Sequence, residues 1–189
     1  MNTFIKAKGE NAVPKILDRP EESILSAARR IAVEEGYAAA TVRAVAKECG
    51  IAVGTIYNYY PSKDAMLAAC LLRDWKSALA AAGECAAAAK SAEEAVEAVF
   101  SAIRAFEEQN RRIFSDERAR ASAAGMLQNR HAQLRSQIAA LLEAPCRRFA
   151  GGEDDFLPAF LAESLLAWSM EDVPFSRLWQ SLRRLFPKE

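Results

Sequence analysis

Glycine and proline are scarce, at 8 and 7 of 189 residues, and few stretches alternate apolar with polar side chains. Both shortages argue against a sheet protein, and with alanine abundant, helix propensity dominates throughout. Histidine occurs once. There is no glycine-rich phosphate loop and no G-x-S-x-G elbow, so the usual frameworks of nucleotide and acyl chemistry are missing and an enzyme is not expected. The acidic run Glu153-Asp154-Asp155 reads as a solvated helix start. The four cysteines, Cys49, Cys70, Cys85 and Cys146, form no C-x-x-C pair and no His/Cys cluster at metal spacing, which leaves them as structural thiols with neither metal nor cofactor expected. No stretch reaches the roughly 18 consecutive apolar residues of a spanning helix, so no membrane partner is expected. The opening MNTFIKAKGE lacks the apolar segment of a secretory signal, and a cytoplasmic location is expected.

Charge is also missing as a signal. The formal net charge is zero, so no basic surface announces a nucleic-acid partner. Locally the balance differs: from Thr41 to Lys63 the cations Arg43, Lys47 and Lys63 face only Glu48, and Lys6, Lys8, Lys15 and Arg19 precede them.

What is present is helical pattern. With 51% hydrophobic and 26% charged residues, the chain can bury a real core. Asp18-Arg19-Pro20-Glu21 opens a first helix, with an acceptor side chain, a proline in the first turn and a glutamate behind it. Ile24, Ala28 and Ile31 form its apolar stripe, and Gly36 stops it. Thr41 is the next N-cap; Val42, Val45, Ala46 and Cys49 repeat at helical spacing until Gly50. A third helix starts near Val53 and ends before Pro61. Two short helices joined by a tight glycine turn are the helix-turn-helix signature. At about 100° per residue, Ile56 and Tyr60 share one side of the third helix, whereas Gly54, Thr55 and Asn58 point away and Tyr57 and Tyr59 flank them. Such a face suits the major groove, where asparagine pairs with adenine, the threonine methyl packs on thymine and hydroxyls reach phosphates. A three-helix packing module that binds no DNA would share the same pattern.

The run TVRAVAKECGIAVGTIYNYYPSKDAML, Thr41 to Leu67, with LSAARRIAVEEGY before it, resembles the DNA-binding signature of the TetR family of regulators. The resemblance covers Pro20 to Leu67. It implies that Thr41, Thr55, Tyr57, Tyr59 and Lys63 meet DNA. Gly54 fits a close approach of backbone to the groove, and Ser62 is placed to cap the helix that Lys63 opens. Where the family often has serine and then a basic residue, this chain has Ala52 and Val53, which removes a helix cap and a phosphate contact.

Beyond Leu67 the pattern predicts a helix from Lys63 to about Ala82 ended by Gly83. A second follows from Ala92 to about Asn110, then a break near Arg111 to Asp116. A long helix from Ser122 carries Leu127, His131, Leu134, Ile138 and Leu141 on one stripe. Phe100, Arg104, Phe114 and His131 are candidate lining for an effector pocket. Two strongly apolar stripes close the chain, Phe156 to Trp168 and Phe175 to Phe186, separated by Asp172-Val173-Pro174. The resemblance implies that the last two long helices pair with those of a second subunit, and Phe160, Trp168, Phe175, Trp179 and Leu182 are the interface candidates.

The expectation is therefore an all-α protein: an arm over residues 1–19, a helix-turn-helix head over 20–65, and a helical effector-binding and dimerisation domain over 66–189. Its partners would be double-stranded operator DNA, a second copy of itself and an unidentified small-molecule effector. The expected function is a repressor released from its operator by that effector. A helical dimeric adaptor, or a DNA-binding protein without ligand control, is the alternative.

Overall fold

A computed structural model describes residues 19–115, 131–151, 154–171 and 173–186, apart from the side chain of Phe114. The lysine-bearing arm before Arg19, Asp18, Leu127, Glu153 and Asp172 lie outside the described residues. Every regular element within them is helical: α1 (Pro20–Glu34), α2 (Val42–Cys49), α3 (Val53–Tyr57), α4 (Lys63–Ala88), α5 (Ala92–Gln109), α6 (Arg111–Phe114), α7 (His131–Phe149), α8 (Phe156–Ser169), α9 (Phe175–Leu182) and a closing 3-10 turn, Arg183–Leu185.

Local chemistry sets the head. Pro20 stands in the first turn of α1 with Glu21 and Glu22, whose charge suits the helix dipole. Gly36, at φ +95°, turns the chain away. The Thr41 hydroxyl accepts the Ala44 N–H at 3.1 Å and caps α2. Gly50 ends that helix in the left-handed region, φ 67° and ψ 31°, its N–H on the Ala46 and Lys47 carbonyls. Ile24, Ala28, Val45 and Ile56 meet beneath this turn, all fully buried. Tyr60 joins them and donates its hydroxyl to Glu21 Oε1 at 3.1 Å.

Ser62 caps α4 by accepting the Ala65 N–H at 3.1 Å. The helix then runs 26 residues, about 39 Å, through two separate cores. Met66, Leu67 and Cys70 belong to the head's cluster, while Trp75, Ala82 and Ala86 belong to the body's. The expected stop at Gly83 does not occur. The surrounding alanines sustain the helix, and Gly83 sits where α7 comes close: a Cβ there would lie 3.1 Å from Leu141 Cδ2. Tertiary packing has overridden a local terminator.

The body is built from α4, α5, α7, α8 and α9 around Val99, Ile103, Ile138, Leu142, Leu161 and Leu165. The Trp75 indole donates to Gln137 Oε1 at 2.9 Å, tying α4 to α7. Truncating a residue as buried as Leu161 would cost about 2–5 kcal/mol.

Head and body are joined by charge as well as by α4. Arg29 pairs with Asp74 and donates to Gln109 Oε1 at 3.3 Å. Arg112 donates to the Val33 carbonyl at 3.3 Å and to that of Glu34, placing a cation on the negative end of α1. Ile113 beside it is buried in the head's core. The buried Asn110 side chain donates to the Phe106 carbonyl at 2.9 Å where α5 breaks into α6.

Candidate nucleic-acid interface

The outward face of α3 follows from what the inward face must bury. Ile56 is fully buried and Tyr60 nearly so, which turns Gly54, Tyr57, Asn58 and Tyr59 to solvent and leaves Thr55 half-buried. Tyr57 and Tyr59 keep 53% and 43% of their surface exposed, a large exposure for aromatic side chains. A Cβ at Gly54 would touch nothing within 4 Å. The chain's own packing therefore does not require glycine there. Ala52 precedes α3 in extended conformation and provides no side-chain cap.

Thr41 is exposed at the mouth of α2. The N–H groups of Val42 and Arg43 behind it have no intrahelical acceptor, as helix geometry dictates. Arg43 and Lys47, counted in the sequence only as local charge, are exposed on the same short helix. The place of Arg43, two residues after an N-cap threonine, was the signal available for it. The cations of α1 are engaged elsewhere: Arg29 pairs with Asp74, and Arg30 with Glu34 at 2.8 Å and with Glu48 at 2.7 Å. Lys63 opens α4 but does not extend into solvent. Its ammonium lies 3.9 Å from the centroid of the Tyr37 ring and donates to the Ala38 carbonyl at 3.3 Å. The Tyr37 hydroxyl in turn donates to Asp64.

Residues 24–70, the whole of this arrangement, match the family described as bacterial regulatory proteins, tetR family. The head is a TetR-family domain. It is 44% identical over 57 residues to the HTH-type transcriptional regulator UidR of Escherichia coli (strain K12), a match covering 30% of this chain and 29% of UidR. It is 43% identical over 53 residues to the HTH-type transcriptional repressor KstR of Rhodococcus jostii (strain RHA1), covering 28% of this chain and 25% of KstR. Less than a third of each relative is thus matched, and both are named as transcriptional regulators, not enzymes. Likeness of fold extends through the body. The structure of SCO7518 from Streptomyces coelicolor A3(2) superposes with a TM-score of 0.61 at 18% identity, covering 90% of this chain and 99% of that one.

The body attached to this TetR-family head departs from several sequence expectations. The three pocket candidates with described side chains, Phe100, Arg104 and His131, are not gathered. Phe100 is buried in the core against Phe175, ring centroids 5.7 Å apart. Arg104 donates to the Glu171 carbonyl at 2.8 Å. His131 opens α7 at the surface, 3.7 Å from Glu163 Oε1, because the buried stripe of that helix runs through Ile138, Leu142 and Cys146 and leaves its first turn outside. The side chain of Phe114 lies outside the described residues.

The interface candidates also divide. Phe160 and Trp168 on α8 are 41% and 46% exposed, since Leu157, Leu161 and Leu165 occupy the inward face. Trp179, at 9%, and Leu182, at 5%, are buried in this chain's own core, with Phe175 packed beside them. Helix α9 is only 8 residues long. Its apolar stripe is consumed in closing the body, where Phe175 meets Phe100 of α5. Phe156, not among the candidates, is exposed next to Phe160, ring centroids 6.1 Å apart. Among the described residues no group of His, Cys, Asp or Glu side chains is placed to hold a metal ion, and no helix is long and apolar enough to cross a membrane.

Proposed function

We propose that this protein is a dimeric repressor of transcription that binds double-stranded operator DNA through its TetR-family head and is released by a small molecule bound in the body. The observation that carries the reading is the outward row on α3, with Tyr57, Asn58 and Tyr59 exposed around Gly54 while Ile56 and Tyr60 anchor the same short helix. In this reading Thr55 and Asn58 face base edges, Gly54 lets the backbone approach, and Thr41, Tyr57, Tyr59 and Lys63 contact phosphates. Arg43 and Lys47 add cations at the rim and make up for the uncharged side chain at Val53.

The repressor sense follows the name of KstR, and release by a small molecule follows the common behaviour of the family. The second copy packs against α7 and α8, where Phe156, Phe160 and Trp168 leave an apolar strip at the surface. Dimerisation sets two recognition helices about 34–36 Å apart, one helical turn of DNA. Small movements in the body reach the head through α4 and through the contact of Arg112 with the end of α1.

DNase footprinting of the full-length protein on the DNA upstream of its own gene tests the reading. A protected two-fold symmetric site, abolished on replacing Asn58 and Tyr57 together by alanine, is expected. Protection that is absent in the wild type at low salt, where phosphate contacts are strongest, favours the adaptor alternative.

A further inference from the structure

We propose that Tyr37 is the positioning residue for the ammonium of Lys63, holding it beside the start of α2 where a DNA phosphate would dock. The proposal rests on the reading of the head as a DNA-binding surface. Tyr37 lies in the turn between α1 and α2, one residue after Gly36, and Lys63 is the first residue of α4. They are 26 positions apart in the chain, yet the ammonium stands over the ring face at 3.9 Å, well inside the ~6 Å reach of a cation–π contact.

Two further bonds make the arrangement a unit. The Tyr37 hydroxyl donates to the carboxylate of Asp64, the neighbour of Lys63, so α4 itself holds the far end of the ring. Lys63 Nζ donates to the carbonyl of Ala38, the neighbour of Tyr37. The two segments are therefore cross-linked in both directions. A lysine has four rotatable bonds and loses more entropy on ordering than almost any other side chain. The ring and the carbonyl remove much of that freedom before any phosphate arrives. The turn they grip ends at Thr41, the cap of α2. There the unpaired N–H groups of the helix start and a fixed ammonium would offer a phosphate two kinds of donor at once.

A merely structural role for Tyr37 predicts something different. Its ring also packs against the head's core, and loss of packing would weaken folding and DNA binding whether or not Lys63 is present. The two roles separate in a double-mutant cycle on the full-length protein, read by anisotropy of a fluorescein-labelled mixed-sequence duplex over a range of salt concentrations. Lys63→Ala is expected to weaken binding and lower the salt slope by about one unit per subunit. Tyr37→Leu should weaken binding about three- to tenfold when Lys63 is present and add nothing in the Lys63→Ala background, while Tyr37→Phe, which keeps the ring but loses the bond to Asp64, should weaken it less than Tyr37→Leu does. In the free protein, the ε-methylene proton resonances of Lys63 should be shifted upfield by the ring in wild type and Tyr37→Phe.

An equal loss from Tyr37→Leu in both backgrounds overturns the proposal and leaves the DNA reading standing. Unshifted Lys63 ε-protons in the wild type overturn it as well, and that measurement needs no variant, so a Tyr37→Leu protein that failed to fold would not protect it. If Lys63→Ala leaves affinity and salt slope unchanged, the assignment of Lys63 to phosphate fails instead.

Discussion

Trp179 stacks on Phe175 inside the body, ring centroids 6.0 Å apart and planes 21° apart, and the Phe186 ring lies 5.6 Å from that of Trp179. This aromatic stack is the lid of the chain's own core. A carboxylate at Trp179 would be buried without a partner, which typically costs several kcal/mol. Trp179→Glu is therefore expected to unfold the body, seen as loss of the cooperative thermal transition. Trp168→Glu, placed on the exposed strip of α8, is expected to keep the fold and shift the protein to monomer in analytical ultracentrifugation. A Trp168→Glu protein that remains dimeric at micromolar concentration would remove this strip as the interface.

Asn58 is exposed at the end of α3 with helical dihedrals, φ −67° and ψ −24°. Its amide can form the paired hydrogen bonds with adenine that alanine cannot, a discrimination of about 1–3 kcal/mol at one base pair. Asn58→Ala is expected to relax preference at a single position of the operator while leaving binding at other positions unchanged. Selection from a randomised operator library checks this. Uniform weakening at every position would make Asn58 a backbone contact.

The head was legible in the sequence because its instructions are local. Thr41 and Ser62 cap the helices they precede, Gly50 takes the left-handed conformation, and the inward and outward sides of α3 follow from its period. Each depends on neighbours within four or five residues. The body was legible only as helices, because the fate of an apolar stripe there depends on what packs against it. Trp168 and Trp179 look alike in pattern, yet α8 has Leu161 and Leu165 to bury and turns Trp168 outward, while the short α9 buries Trp179 together with Leu178 and Leu182. His131 follows the same rule: a stripe read from spacing does not say which of its members are buried. The link between Tyr37 and Lys63 had no local signal at all, since it joins two segments through a ring face.

Gly83 gives a test of how closely α4 and α7 approach. Alanine gains about 1 kcal/mol of helix propensity over glycine, but its Cβ would stand 3.1 Å from Leu141 Cδ2. Leu141 is half-buried, and its methyl is the far end of a flexible side chain that can turn away. Gly83→Ala is expected to stabilise by less than the full propensity gain, and Gly83→Val to destabilise by about 1–3 kcal/mol through overpacking. Urea unfolding of both variants measures it; a Gly83→Val protein as stable as wild type would show that the packing there is loose.

The carboxyl of Glu107 sits between α5 and the end of α8, where Ser169 Oγ donates to its Oε1 at 2.9 Å. Burial pushes its pKa upward, more than the Ser169 hydrogen bond and the nearby Arg104 charge pull it down. The fold thus favours the protonated acid relative to the unfolded chain, whose carboxyl titrates near 4.5. That contribution is complete below the unfolded value and is lost as pH rises through the folded one, so at neutral pH the carboxylate is held in the fold against its desolvation. Glutamine has nearly the same shape, carries no charge and offers Ser169 the same kind of acceptor. Glu107→Gln is therefore expected to be more stable than wild type at pH 7, with the difference shrinking as pH falls towards 4.5. Urea midpoints measured at both pH values decide it. A variant less stable than wild type at pH 7, or a difference that does not change with pH, would mean that the hydrogen bond to Ser169 outweighs burial and that Glu107 is held comfortably as the anion.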